Sequence, residues 1–208
     1  FIPDDGYVLV GADASGLELR MLAHYLAHFD KGKYAKEVCE GDIHTVNQYA
    51  AGLPTRNDAK TFIYAFLYGA GDQKLGSIVN GGISEGRILR ARFLHKIPAI
   101  QQLKKIIIHQ VETRGWLRGL DGRHLPVRSK HSALNLALQS AGAVVMKQAT
   151  VNLCKHIHTL PEGTAYQVAH IHDEIQLSVK EDYAEQVGNM ATRAIEEAGR
   201  DFDLRCPL

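Results

Sequence analysis

The chain has 208 residues, 45% of them hydrophobic and 23% charged, which excludes a disordered tract and leaves enough apolar material for one large core or two small ones. A formal net charge of +1 gives no overall basic excess, and without a run of eighteen apolar residues or a charged-then-apolar leader neither a membrane span nor a signal peptide is expected. Cys39, Cys154 and Cys206 are far apart in sequence and form no CxxC, so they read as reduced structural thiols rather than a zinc framework.

In chain order, "GYVLVGAD" is an apolar run ending on Asp13 and predicts a buried strand, followed by a helix from about Gly16 to Phe29. Helical patterning then covers Tyr34 to Glu40, Ile43 to Ala51, Thr55 to Ala70, Ser84 to His95 and Pro98 to Thr113, punctuated by "EGD", "GLP", "GAGD" and "NGG". Strand character returns in "WLRGLDGRHLPVRS", where Asp121-Gly122 suits a type I′ hairpin turn; Trp116, at its start, reads as core. A long helix from about Ser132 to His158 precedes "TAYQVAHIHDEIQLSV", two short strands joined tightly near His172-Asp173, and a last helix spans roughly Asp182 to Gly199. The order predicts an α+β fold: an antiparallel sheet from the strands ending at Asp13, Trp116 to Val127 and Tyr166 to Val179, backed by helices. A helical insertion interrupts it between about residues 31 and 114.

Charge is polarised along the chain. Gly86 to Val111 holds six basic residues and no acid, whereas Glu181 to Asp203 holds seven acids against Arg193 and Arg200. A solvated helix face explains either run, although a one-sided basic stretch also attracts a phosphate backbone.

The helix "TRNDAKTFIYAFLYGAG" poses a sharper question. Arg56, Lys60, Tyr64 and Tyr68 recur every four residues and fan over an arc of roughly 120°, separate from the apolar arc of Ala59, Phe62, Ile63, Phe66 and Ala70. No acidic partner stands among the four, so both cations read as free for an anionic ligand beside an aromatic platform. Asp13 and Asp173 each end an apolar strand, where a carboxylate packs poorly. Side by side in a sheet, two such groups could hold a pair of Mg²⁺ ions. Alone, each is an ordinary turn aspartate.

Taken together and in order, "DASGLELR", "RNDAKTFIYAFLYG" and "HDE" resemble the three polymerase signatures of family A, the pol I type of DNA polymerase. "DASGLELR" and "GDIHT" resemble its phage replicative branch more than the bacterial repair branch. The resemblance covers essentially the whole chain, "LDGR" and "ALNLALQSAGA" included. It implies a palm (residues 1–30 and 115–208) and a helical fingers insertion (31–114), with thumb and exonuclease outside the chain; Phe1 at the start reads as a cut from something longer.

The resemblance also implies roles. Lys60 and Arg56 would hold an incoming triphosphate, His44 would add a phosphate contact, Tyr64 would lie against sugar and base, and Ser15 would join the nucleotide-binding set. Asp13, the carbonyl of Ala14 and Asp173 would bind two Mg²⁺ ions. Glu18 would pack with Tyr68 where a 2′-hydroxyl would collide. Asn135 and Gln139 would read the minor groove of a primer–template duplex, with Arg128 and His131 on its backbone, His172 near the primer terminus and Glu174 as a further carboxylate beside the metals. The implied partners are primer–template DNA and dNTPs, in the cytoplasm of a bacterium or phage-infected cell, with any processivity partner left to the missing thumb.

Alternatives stay open on the residues alone: a single-subunit RNA polymerase, a catalytically silent nucleic-acid-binding module, or a metal phosphohydrolase built on Asp13 and Asp173. His24/His28, His156/His158 and His170/His172 have spacings that zinc could use, but no third ligand motif accompanies them.

Overall fold

The computed structural model describes residues 2–208. Strand β1 (Tyr7–Asp13) turns Val8, Val10 and Ala12 inward and Leu9, Gly11 and Asp13 outward, the period of two of a strand packed on one face. Gly16, at φ 63°, supplies the left-handed turn that launches α1 (Leu17–Asp30). There follow α2 (Lys33–Glu40), α3 (Ile43–Ala51), α4 (Arg56–Leu67), α5 (Asp72–Ser77), α6 (Ile83–Lys96) and α7 (Pro98–Arg114). A small hairpin, β2 (Trp116–Arg118) and β3 (His124–Pro126), leads through a 3₁₀ turn at Lys130–Ser132 into α8 (Ala133–Ile157). The chain ends with β4 (Ala165–Ile171), β5 (Glu174–Lys180), a 3₁₀ turn at Glu181–Tyr183 and α9 (Ala184–Asp201).

The main sheet is antiparallel in the order β1–β5–β4, with Tyr7 opposite Lys180 and Asp13 opposite Glu174. Ile175, Leu177 and Val179 of the central strand are fully buried, and the sheet is backed by α9, which lies along α8. The α+β class with a helical insertion therefore holds. The expected third component of the sheet does not: β2 and β3 pair only with each other. Each is three residues long and buries a single leucine, Leu117 or Leu125, against its own neighbourhood beside α7, too little apolar surface to widen the main sheet.

The Asp121-Gly122 turn also differs from type I′, which needs positive φ at both central residues. Here only Gly122 is left-handed (φ 86°). The loop is longer, closed by the Gly119 N–H to Arg123 O and the Gly122 N–H to Gly119 O. Trp116 is half-buried rather than core; its ring stacks on His124 with centroids 3.6 Å apart.

Helix α4 begins in a capping box, Thr55 and Asp58 each accepting the other's backbone N–H. It stops at Leu67, three residues before the expected end, because Gly69 turns left-handed at φ 79° with its Cα against the carbonyl of His131. Phe62 and Phe66 pack edge-on against Phe93 of α6, with centroids 5.3 and 5.2 Å apart. Helix α5, which the hydrophobic pattern does not show, is held by backbone approach: a Cβ on Gly76 would fall 1.8 Å from Gly82 O, and one on Gly86 would fall 1.8 Å from Asp72 O. The thiols of Cys39 and Cys206, distant in sequence, lie 3.5 Å apart.

Candidate functional site

The end of β1 and the β4–β5 hairpin meet at one corner of the sheet. Asp13 stands opposite Glu174 in register, and the Ala14 N–H donates to the Asp173 carbonyl across 2.9 Å, so both aspartates flank the same backbone bridge. The hairpin loop is two residues long. His172 sits in it at φ 55°, a value that non-glycine residues seldom adopt and that turns Asp173 out of the strand pleat. Asp13 is exposed and Asp173 half-buried. Glu174 Oε1 accepts from the Gln176 amide, and Gly11 is the residue opposite Gln176; a Cβ there would lie 2.7 Å from that amide.

The two aspartates and the neighbouring backbone carbonyls offer oxygen donors at this corner, a set suited to a hard cation that takes its remaining ligands from water or phosphate. Among the described residues no cluster of three or more His, Cys, Asp or Glu is arranged to enclose a metal.

A cavity of about 300 Å³ adjoins the corner, lined by Glu18, Tyr68, Gln139, His172 and Asp173 among others. Five residues singled out from four separate sequence stretches thus share one hollow. Within it the Tyr68 hydroxyl donates to Glu18 Oε1 at 3.2 Å, and the Gln139 amide reaches the same oxygen at 3.4 Å. The second bond goes beyond the sequence pattern, which gives Gln139 only a contact with duplex DNA. Burial, with Glu18 beside it, pushes the Tyr68 phenol above the usual tyrosine range.

The α4 stripe climbs away from this hollow. Tyr68 caps the helix, Tyr64 lies half-buried one turn below with its ring 6.5 Å away, and Lys60 and Arg56 follow, both exposed. Burial first, then Glu18, Tyr68 and Asp173, push the Tyr64 phenol upward, which registers how near the carboxylates lie. His44 of α3 stands 6.4 Å from the Tyr64 ring, and its Nδ1 is a buried atom without a hydrogen-bond partner. Burial, then Arg56 and Lys60, lower its proton affinity against the pull of Asp42.

One expectation fails here. Arg56 is not free of acids: Asp42 accepts from its Nε at 2.6 Å and its Nη2 at 3.1 Å. Spacing on α4 could not show this, because Asp42 comes from the start of α3. Lys60 makes no ion pair among the described residues.

Asn135 and Gln139 lie one turn apart on α8, half-buried and exposed respectively. His131 and Arg128 are exposed at and before the 3₁₀ turn that precedes α8, and Ser15 is exposed in the turn after Asp13. The histidine pairs find other partners: His24 Nδ1 accepts from the Arg205 N–H, and His156 bonds Glu197.

Comparison with known proteins decides the lineage. All of residues 1–208 match the sequence profile of DNA polymerase family A. The chain belongs to that family. It is 46% identical to the DNA-directed DNA polymerase of Enterobacteria phage T3 and 45% to that of Escherichia phage T7, each over 97% of this chain and 32% of the relative. Identity to the thermostable DNA polymerase I of Thermus aquaticus is 28%, over the whole chain and 26% of that enzyme, which sets this family member with the phage branch. The chain thus spans about a third of the length of its phage relatives. Its fold matches the POL domain of Pol1 from M. smegmatis, solved with DNA primer-template and dNTP, at a TM-score of 0.85 and 20% identity, over all of this chain and 39% of that one. No described helix is long and apolar enough to cross a membrane.

Proposed function

We propose that this chain is the nucleotidyl-transfer core of a template-directed DNA polymerase, with residues 1–30 and 115–208 as palm and 31–114 as fingers. The observation that carries the reading is that the α4 stripe of Arg56, Lys60, Tyr64 and Tyr68 ends, at Tyr68, in the hollow shared with Glu18 and Asp173. Cations stand along the stripe and carboxylates at the hollow. An incoming dNTP needs both.

Lys60 and Arg56 bind the triphosphate, with His44 beside them, and the exposed ammonium and guanidinium gain from the approach of a polyanion. Tyr64 offers its half-buried ring to the sugar and base. Glu18, fixed by Tyr68 and Gln139, stands where a ribose 2′-hydroxyl would have to enter, and so favours deoxynucleotides. Gln139 donates one amide hydrogen to Glu18 and keeps its other amide hydrogen and its carbonyl oxygen for the minor groove. Asn135 offers a second uncommitted amide there, where acceptors shared by every base pair permit sequence-independent grip. Arg128 and His131 hold the duplex backbone, while His172 and Glu174 border the primer terminus and Ser15 the nucleotide.

Asp13, the Ala14 carbonyl and Asp173 would hold two Mg²⁺ ions, which when bound supply an activated primer 3′-oxygen and neutralise the leaving pyrophosphate. The protein's own share is positioning and electrostatic complementarity, which dominate phosphoryl transfer generally. The partners are primer–template DNA and dNTPs, and the setting is the cytoplasm of a bacterium or phage-infected cell.

Primer extension by the protein expressed from its whole reading frame tests this directly. Template-directed dNTP addition that Asp13→Asn and Asp173→Asn each reduce by about a thousandfold or more is expected. Addition insensitive to both would refute the reading.

A further inference from the structure

We propose that Asp42 is a positioning residue for the nucleotide. It holds the Arg56 guanidinium side-on, so that the outer edge of Arg56 and the imidazole of His44 meet the triphosphate as one unit. The inference rests on the reading of α4 given above and adds to it a residue from a different helix.

Asp42 is the N-cap of α3, and its carboxylate is saturated. Oδ1 accepts from the backbone N–H groups of His44 (3.1 Å) and Thr45 (3.4 Å) and from Arg56 Nη2 (3.1 Å); Oδ2 accepts from Thr45 Oγ1 (2.8 Å) and Arg56 Nε (2.6 Å). Capping alone does not need this. A single side-chain oxygen caps a helix, and Ser, Thr or Asn would serve equally. Only a carboxylate grips the Nε/Nη2 edge of a guanidinium through two charge-assisted bonds.

That grip leaves the ligand its share. A guanidinium has five N–H donors, of which Asp42 takes two; the remaining three lie on Nη1 and the far side of Nη2. Arg56 can therefore hold Asp42 and a phosphate at once, and no exchange of partners is required. An exposed arginine without such an anchor samples many rotamers, and freezing them would weaken nucleotide binding.

His44 is the second member of the unit. It lies two residues after Asp42, its backbone N–H bonds the same carboxylate oxygen that Arg56 uses, and its Nδ1 is the buried side-chain atom left without a partner among the described residues. One carboxylate thus holds the guanidinium of Arg56 and the backbone from which the His44 imidazole projects. The ordinary reading, a surface ion pair that contributes almost nothing to stability, is compatible with this. The role lies in binding rather than in folding.

The opposite reading, in which Asp42 competes with nucleotide for Arg56, predicts the opposite sign. Steady-state dNTP incorporation by the full-length protein separates them. Asp42→Asn keeps the cap but loses the charged two-oxygen grip. It should raise the dNTP KM about tenfold, with the loss falling on KM rather than kcat and the melting temperature unmoved. In an Arg56→Ala background the same change should add nothing. An unchanged or lowered KM for Asp42→Asn, or an equal rise with and without Arg56, overturns the proposal. If Arg56→Ala raises KM while Asp42→Asn does not, only the positioning role fails; if Arg56→Ala itself leaves KM unchanged, the triphosphate reading of α4 fails with it.

Discussion

Tyr68 and Glu18, fifty residues apart in the chain, are joined by a 3.2 Å hydrogen bond that ties the C-terminal cap of α4 to the first turn of α1. The bond keeps the carboxylate against the phenol instead of swinging into solvent. In the proposed site this is the wall that a 2′-hydroxyl meets. Glu18→Ala should therefore admit ribonucleotides more readily while deoxynucleotide addition persists, and Tyr68→Phe, which frees the carboxylate without deleting it, should have a smaller effect in the same direction. Competing kcat/KM values for rNTP and dNTP measure both. Unchanged selectivity in Glu18→Ala would make Glu18 a surface carboxylate and no more.

Tyr64 gives a second test. Its half-buried ring, 6.4 Å from that of His44 and 6.5 Å from that of Tyr68, carries a phenolic hydroxyl that can make a polar contact where a dideoxynucleotide lacks its own 3′-hydroxyl. The protein should accept chain terminators nearly as well as dNTPs. Tyr64→Phe should restore discrimination of about 2 kcal/mol, the scale of a hydrogen bond lost from a buried group. Direct competition between ddNTP and dNTP in both proteins is the measurement, and equal termination by the two would move Tyr64 away from the sugar.

The periodic features of this site were legible because they are local. Four residues at one spacing announce the α4 stripe, and Asp13 and Asp173 stand out because strand ends punctuate apolar runs. Pairings between elements were not legible. Nothing within α4 reveals that Asp42 occupies Arg56, and nothing within α8 reveals that Gln139 reaches Glu18, 121 positions away. Two further misreadings have the same origin. β2 and β3 look like sheet material but bury one leucine each, and α5 has a glycine-containing sequence without a helical apolar pattern whose backbone packs directly against that of α6.

That last contact is testable through stability alone. Gly86→Ala would place a methyl group into the carbonyl of Asp72, a backbone atom that cannot swing aside as a side chain would. A loss of about 3 kcal/mol is expected, at the upper end of ordinary overpacking, read from the denaturant midpoint. Gly71→Ala, with open space around its Cβ, is the control that should change little.

His24 predicts a pH dependence. Burial first, then the charges of His28 and Arg205, push its imidazole down to about 4 from an ordinary value of 6.5, and its Nδ1 accepts the Arg205 N–H. The neutral ring is the folded form. Above pH 6.5 both folded and unfolded states hold it neutral, so nothing is lost; as pH falls from 6.5 toward 4, the unfolded chain takes up a proton that the fold refuses. Stability should decline through that window by on the order of 2 kcal/mol from this group. His24→Asn, which keeps an acceptor without a titrating ring, should flatten that part of the profile in denaturation experiments run from pH 7 to pH 4.

The register of β1 against β5 also imposes a schedule. Asp13 leaves the ribosome 160 residues ahead of Asp173, and β5 is the strand that β1 pairs with in the sheet. At ordinary bacterial synthesis rates that interval is about ten seconds or more, during which the residues of α4 are already made while the corner of Asp13 and Asp173 cannot exist. A nascent chain, or any product truncated before the last hairpin, thus carries the α4 stripe without the paired aspartates of the proposed site. In the proposed site the two aspartates come together only once β5 has paired with β1, the last strand pairing of the sheet to become possible.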